Sequence, residues 1–206
     1  AYEGDWRAGL SALKAAKASD GAVKPAAVSV LIGSAGREGN WREAVEMLEL
    51  LCDSSLQPNH LDVAKAFTQA IQACGRAKRW KEALAVLERM ESAGIRPDAF
   101  AYNAALSACA KAKVIHKMQE VFDDMAAHGV SPDRVSYTIA MDGFARAGLT
   151  AEAIQLFDNM GKNGVPAPDA PAYSAAIAAC CRSTASSSSA WQDALRILKQ
   201  MMGPSG

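Results

Sequence analysis

Long apolar runs, aromatic residues and an excess of one charge are all scarce or absent in this sequence. Aromatic residues make up 6% of the 206 residues, although half of the residues are hydrophobic. No run of about 18 apolar residues exists, so we expect no insertion into a membrane. Lys plus Arg equals Asp plus Glu at 22 each, and this balance implies only weak long-range attraction to a polyanion. Small apolar side chains with few aromatics suit close packing of helices.

Motifs of metal binding and of catalysis are also absent. The five cysteines include no C-x-x-C pair, and an odd number does not fit a framework of disulfides. The three histidines, His60, His116 and His128, are scattered along the chain. There is no glycine-rich phosphate loop, nucleophile elbow or nucleobase-deaminase signature. We therefore expect no metal, no cofactor, no catalytic residue and no enzymatic activity.

The sequence does contain a repeat with a period of 35 residues. A shift by one period superimposes three aromatic residues, three methionines and three glycines: Phe67, Tyr102 and Tyr137; Met90, Met125 and Met160; Gly94, Gly129 and Gly164. Self-similarity at a fixed period of this size is typical of solenoid proteins. We predict a tandem array.

Each repeat carries two apolar stripes with helical spacing, so we predict two helices, named helix A and helix B. In the central repeat the stripes are Tyr102, Leu106 and Cys109, then Val121, Phe122 and Met125. Asp98 and Asp133 stand where an N-cap carboxylate would open the next helix A. The recurring glycine follows helix B, where a left-handed residue is favourable. The predicted fold class is all-α.

The period divides residues 1–206, as one domain, into a partial unit and five further units. Residues 1–20 hold a helix B alone, and the other units are 25–59, 64–98, 99–133, 134–169 and 170–202. Residues 60–63 are an insertion, either a longer start of the next helix A or a surface bulge. The serine-rich insertion 183–189 is expected to be a mobile loop. The missing first helix and the end after Met202 indicate a window of a longer array.

Two sets of residues recur at single repeat positions. The tryptophans occupy the start of helix B: Trp6, Trp41, Trp80 and Trp191. We interpret them as core residues and not as platforms for stacking bases. Three cysteines share one position in the stripe of helix A: Cys74, Cys109 and Cys180. We expect these thiols to behave as small buried hydrophobes.

The repeat resembles the pentatricopeptide repeat family. An aromatic residue followed by Asn, Thr or Ser begins helix A, Ala83-Leu84 with Met90 fits helix B, and Gly-x-x-Pro-Asp closes the unit. A tetratricopeptide array would have a period of about 34 residues and a Leu-Gly-x-x-Tyr pattern, and neither is present. The resemblance implies a right-handed superhelical α-solenoid of helix-turn-helix repeats of about 35 residues.

A cation stands nine positions after the aromatic-bearing position of every unit. These five residues are Arg37, Arg76, Lys111, Arg146 and Arg182. One cation per repeat suits contacts with the phosphates of a single-stranded nucleic acid. Alternatively, the cations complement the dipole at the C-terminus of helix A. Their recurrence in every unit favours phosphate contacts.

The resemblance also implies that each unit reads one RNA base, through the residue after the aromatic position and the last residue of the unit. These positions hold Ser29 with Asn59, Thr68 with Asp98, Asn103 with Asp133, Thr138 with Asp169, and Ser174 alone. The family's pairing rules then imply A, G, U and G, starting from the N-terminal unit. Phe100 and Val135, two positions before an aromatic residue, would sandwich neighbouring bases. The alternative role for the aspartates is N-capping.

The function we expect is non-catalytic, sequence-selective binding of single-stranded RNA. The resemblance implies a mitochondrial or chloroplast location and a role in RNA processing, stability, translation or ribosome assembly. The alternative is a scaffold subunit that uses the solenoid for contacts with other proteins of a large organellar complex. Zero net charge favours the scaffold, whereas the recurring cations favour RNA.

Overall fold

A computed structural model describes residues 6–19, 24–52, 61–162, 165, 167–182 and 188–202, which form eleven α-helices and no strand. The helices are α1 (Trp6–Ala18), α2 (Pro25–Arg37), α3 (Trp41–Cys52), α4 (Leu61–Arg76), α5 (Trp80–Ser92), α6 (Ala99–Ala112), α7 (Ile115–Ala127), α8 (Arg134–Ala147), α9 (Thr150–Asn159), α10 (Ala170–Arg182) and α11 (Ser188–Met202). The all-α class and the alternation of helices A and B are therefore confirmed. None of these helices combines the length and the apolar character that crossing a membrane requires.

The chain divides into two compact units, Ala1–Ala108 and Cys109–Gly206, and the division falls within α6. In the first unit, α2–α3 and α4–α5 are hairpins, α2 packs along α4, and α1 packs on α2 and α3. In the second unit, α8–α9 and α10–α11 are hairpins, α8 packs along α10, and α7 packs on α8. In each unit, the most extensive contact between two helices is the one between successive helices A.

Very small side chains allow helices α2 and α4 to approach closely. A Cβ atom added at Gly36 would lie 2.7 Å from Cβ and 3.2 Å from Cα of Ala73. In the second unit, Gly143 of α8 leaves room for the buried Met118 of α7, whose Sδ atom would collide with an added Cβ. Helices α3, α5, α9 and α11 have alanine at the position of Met118, for example Ala83 in α5. The larger methionine is therefore matched by the smaller glycine.

The turns between helices follow the expected chemistry at most positions. Gly94 and Gly129 have φ angles of 73° and 76°, so the prediction of left-handed glycines after helix B is confirmed there. Gly164 lies outside the described residues, and it is Gly161 that has a left-handed φ of 77° in that repeat. Helix α8 also ends at a left-handed glycine, Gly148.

Two insertions are partly helical. Helix α4 begins at Leu61 and has 16 residues, so most of the insertion at 60–63 extends this helix, as the first alternative proposed. Helix α11 begins at Ser188, so the prediction of a loop over 183–189 is wrong at its last two residues. Residues 183–187 lie outside the part of the chain that the structure describes.

The prediction that the four tryptophans are core residues is correct only for Trp6. Trp6 is 5% exposed, and its indole N–H donates to Glu38 at 2.7 Å. Trp41 is half-buried, with the guanidinium of Arg79 lying 5.2 Å from its ring centroid. Trp80 is likewise half-buried. Trp191 is 57% exposed, because no helix of the described residues follows α11 to cover it.

Candidate nucleic-acid interface

The aromatic-bearing position of helix A anchors each candidate reading residue. Val28, Phe67 and Tyr102 are at most 1% exposed, Tyr137 is 9% exposed, and Tyr173 is half-buried. In the second unit the preceding helix B supplies an aromatic partner for two of them. The Phe122 and Tyr137 rings meet edge to face at 5.3 Å between centroids, and the Phe157 and Tyr173 rings at 5.2 Å. Because the side chain at the aromatic-bearing position is buried, the direction of the candidate reading residue that follows it in the helix is fixed.

The hydroxyls at the reading position bond to their own helix. Ser29 donates to the carbonyl of Ala26 at 2.9 Å, Thr68 to that of Ala64 at 3.0 Å, and Thr138 to that of Arg134 at 2.8 Å. A hydroxyl that donates to the backbone keeps its acceptor lone pairs. Such a group would accept a hydrogen bond from an N–H of a base.

Exposure differs among the five reading positions. Ser174 is exposed, Ser29 and Thr138 are half-buried, and Thr68 and Asn103 are only 9% and 8% exposed. In this conformation a base would reach a small part of Thr68 or Asn103. The base-reading role of all five stays a prediction.

The capping alternative for the aspartates is confirmed. Oδ1 of Asp98 accepts from the N–H of Ala101 at 2.9 Å, and Oδ1 of Asp169 accepts from the N–H of Ala172 at 3.1 Å. Asp133 forms a capping box with Ser136 at the start of α8. Each cap uses the Oδ1 atom of its aspartate, and base reading by the same residues stays a prediction. Asn59, the remaining partner, lies outside the described residues.

The two candidate sandwich residues are strongly exposed. Phe100 is 75% exposed at the start of α6, and Val135 is 53% exposed at the start of α8. Each lies two positions before a buried tyrosine, so it points away from the core that the tyrosine enters. Exposed large apolar side chains at the same repeat position are available to contact flat apolar groups such as bases.

All five predicted phosphate-contacting cations are exposed and lie in the last turn of a helix A. In the first unit, Arg37 donates to the Ser34 hydroxyl at 2.9 Å. The guanidinium of Arg76 lies near Gly36 on the neighbouring α2, because an added Cβ there would be 3.3 Å from its Nη1. Lys111 ends α6. Phosphate contact and dipole complementation are both compatible with this placement.

A single carboxylate joins the last two cations of this set. Asp142 Oδ2 lies 2.7 Å from Nε of Arg146, one turn further along α8, and Asp142 Oδ1 lies 3.4 Å from Nη1 of Arg182 on α10. All three side chains are between 36% and 48% exposed. Because exposed ion pairs are weak, about 0 to 1 kcal/mol, the pairing holds the guanidinium groups without preventing exchange to another anion.

Sequence reasoning missed Asp142, although the sequence contains a signal for it. The position five residues after the aromatic holds Gly33, Gln72, Ser107 and Ala178 in the other units, and only this unit has an acid there. A carboxylate one turn before a recurring cation is within reach of that cation. The second arginine, on the next helix A, becomes its neighbour only through packing.

The three cysteines that share one position of helix A are buried. Burial raises the pKa of the Cys74 thiol to about 12, with the negative charge of Glu82 adding to the effect. Burial raises the pKa of the Cys109 thiol to about 11, although Lys117 opposes the shift. Cys180 is also buried and has a raised pKa, mainly from desolvation. The prediction of small buried hydrophobes is confirmed, and among the described residues no group of three His, Cys, Asp or Glu could hold a metal ion.

Models of known protein families match the repeat units of this chain. A model of the PPR repeat family matches residues 64–111 and 97–146. A second model, of the PPR repeat, matches residues 26–56 and 135–165. Together the matches cover more than half of the chain. A comparison with curated protein sequences found no match.

Among solved structures, the chain is similar to the pentatricopeptide repeat protein PPR10, from maize, in complex with an 18-nt psaJ RNA element. The identity is 26%, the TM-score is 0.71, and the similarity covers 98% of this chain and 28% of the PPR10 chain. The present chain thus spans about a quarter of that relative's length.

Two further structures show likeness of fold alone. The PPR domain of Arabidopsis thaliana protein-only RNase P 1, in complex with tRNA, is 15% identical with a TM-score of 0.66, covering 89% of this chain and 93% of that chain. Nuclear proteinaceous RNase P 2 from A. thaliana is 17% identical with a TM-score of 0.61, covering 75% and 34% of the two chains.

Proposed function

Since the chain belongs to the pentatricopeptide repeat family, we propose that it binds single-stranded RNA without catalysing a reaction. The proposed setting is a mitochondrion or chloroplast, where binding would support RNA processing, stability, translation or ribosome assembly. The observation that carries the proposal is the composition of helix A, in which a short polar residue and a terminal cation recur at fixed positions. The likeness to PPR10 bound to RNA, over 98% of this chain, supports the proposal.

The exposed apolar residues on helix A support contact with bases. Phe100 and Val135 leave most of their surface in water, and contact with an unstacked base would remove apolar area from solvent. Stacking of a base on an aromatic side chain contributes about 1 to 3 kcal/mol in single-strand binders. Phe100 is therefore the strongest candidate for a base contact outside the reading positions.

The exposed cations support contact with the phosphate backbone. Arg37 and Arg76 lie in the last turns of neighbouring helices A in the first unit, and Arg146 and Arg182 do so in the second. Each is exposed, so a phosphate can approach it without a change in the core. This local arrangement compensates for the zero net charge of the chain.

Salt-dependent binding of a random single-stranded RNA 20-mer tests the RNA proposal. Contacts at all five cations would give a slope of about −3.5 for the logarithm of the association constant against that of the salt concentration, and contacts at only the three cations that Asp142 does not pair would give about −2. Fluorescence anisotropy between about 50 and 200 mM salt measures this slope. Absence of binding at low salt, or binding insensitive to salt, contradicts the proposal.

Substitution of Asn103 tests base reading. In four RNAs that differ only at the third of the four read positions, Asn103→Thr is expected to move the preference from U towards G, as the pairing of Thr with Asp133 implies. Asn159→Thr, on helix B, is the matched control and should leave the preference unchanged. An unchanged preference in the Asn103 variant would end the base-reading proposal while leaving phosphate binding intact.

A scaffold function is the second candidate, and two observations favour it. Asp142 engages two of the five cations, and Thr68 and Asn103 are nearly buried. Both features would weaken RNA binding by a chain whose helices A served instead to hold proteins of a large organellar complex. Failure of the salt experiment would leave the scaffold as the better proposal.

A further inference from the structure

Ion pairs join successive helices B at three places in the described chain. Lys14 of α1 lies 2.7 Å from Glu46 of α3. Glu49 of α3 lies 3.1 Å from Arg89 of α5, and Asp158 of α9 lies 2.7 Å from Arg196 of α11. In every case the residue on the earlier helix is eight positions after the start of that helix B as the repeat defines it. The position thus forms pairs between repeats at these three places, whereas Glu88, at the same position of α5, makes no ion pair with any residue that the structure describes.

The neighbouring helices α7 and α9 lack this pair. Asp123 occupies the same position of α7, is exposed, and makes no ion pair or hydrogen bond with any residue that the structure describes. Arg196 lies five positions after the Trp191 that marks the start of its helix B, and the residue at that register in α9 is Gln155. Gln155 is also exposed, and it carries no charge to meet the carboxylate.

Asp123 stands at the edge of an apolar groove. The groove has a volume of about 400 Å³ and lies between α7, α8 and α9. Its apolar lining includes Met118, Phe122, Phe144 and Leu156, and Gln119 and Asp123 supply the polar groups. A cavity of this size is in the range of about 300 to 1,000 Å³ that accepts a ligand or several side chains.

We propose that this groove, named the α7–α9 groove, binds a segment of a partner protein that inserts a large apolar side chain and places an Arg or Lys against Asp123. The partner would supply the cation that α9 lacks. Charge complementarity selects this occupant, because the equivalent carboxylates Glu49 and Asp158 pair with arginine. The apolar lining favours Leu, Met, Phe or Trp as the side chain that the partner inserts next to its cation. The proposal concerns helices B and is independent of RNA binding by helices A.

Selection from a random 12-residue peptide library displayed on phage tests this proposal. The full chain is the target, and its Asp123→Lys variant removes peptides that bind elsewhere. We expect the enriched peptides to contain an Arg or Lys within four residues of a large apolar residue. Labelled copies of these peptides are then measured by fluorescence anisotropy.

Three variants locate the bound peptide. Asp123→Asn should weaken binding at least tenfold, because the carboxylate loses its charge. Asp124→Asn is the matched control on the same helix, outside the groove lining, and should leave the affinity unchanged. Gln155→Arg should also weaken binding, because it provides Asp123 with an arginine from α9. Thermal unfolding of each variant checks that the fold is retained.

Several outcomes would overturn the proposal. These are the absence of enrichment, enriched peptides without a cation, and equal loss of affinity in the Asp123 and Asp124 variants. Self-association of the chain that Asp123→Asn abolishes, measured by sedimentation, would assign the groove to a second copy and would also overturn it. The peptide-binding result does not depend on RNA binding, so a failure to bind RNA in a separate assay would not change it.

Discussion

Neutralising Asp142 is expected to strengthen RNA binding. The carboxylate contacts Arg146 and Arg182 at 2.7 Å and 3.4 Å, so it competes with phosphates for both guanidinium groups. If this competition removes both cations from the interface, three of the five remain, and the salt slope is about −2. Asp142→Asn frees both arginines, and the slope should approach about −3.5.

The gain in affinity follows from the same geometry. A phosphate on the far side of either guanidinium would lie about 6 to 7 Å from the carboxylate, where a unit charge contributes about 0.6 kcal/mol in water. Removing this repulsion for one or two phosphates gives about a three- to eightfold increase in affinity at low salt. Salt screening should reduce the increase at about 0.15 M.

Anisotropy titrations with a single-stranded RNA 20-mer at four salt concentrations measure both quantities. Asp158→Asn is the matched control, because Asp158 also pairs with an arginine but lies on helix B. The control should change neither slope nor affinity. If Asp142→Asn leaves the slope unchanged or lowers the affinity, Asp142 does not compete with RNA, and Arg146 and Arg182 do not contact phosphates.

Three further predictions concern helix packing and the cysteines. Gly36→Ala should destabilise the chain by about 1 to 3 kcal/mol, because the new Cβ overlaps Ala73. In the double variant, Ala73→Gly should restore part of this loss of stability. Urea unfolding of the two single variants and the double variant measures the effect, and strictly additive changes in the free energy of unfolding would contradict the prediction. N-ethylmaleimide should modify the exposed Cys181 in the native protein at pH 7.5 but not the buried Cys74, as mass spectrometry would show. Because the folded-state pKa of Cys74 is raised from 9.0 to about 12, its contribution to stability is present below pH 9 and is lost as pH rises from 9 towards 12. The urea midpoint should therefore fall between pH 8 and 10, and less so in Cys74→Ala.

Much of the fold could be predicted from the sequence, because its determinants are local. Tyr102, Leu106 and Cys109 show one face of a helix by spacing alone, and all three are fully or almost fully buried. Asp133 predicts a helix start, and the capping box is present. The period predicts which helices are equivalent, and the family matches agree with it.

The exceptions depend on what packs against each position. Trp191 shares a repeat position with the buried Trp6 but is exposed, because burial requires a neighbouring helix and not a repeat pattern. Helix α11 begins at Ser188, inside a segment whose composition is typical of loops.

The candidate interface also has one part that could be predicted from the sequence and one part that could not. The sequence identified the short polar residues and the cations, because each is defined by its distance from a recurring aromatic residue. It did not identify the sharing of Asp142 by two arginines, because Arg182 lies 40 residues away along the chain.

The sequence by itself determined the helices, their caps and the repeat to which each residue belongs, since these depend on side-chain chemistry within one or two turns. Only the tertiary structure decided which carboxylates are paired between repeats and which, like Asp123, are not. That distinction depends on the spacing and rotation of neighbouring helices, and these follow from how side chains such as Gly36 with Ala73 and Gly143 with Met118 fit together.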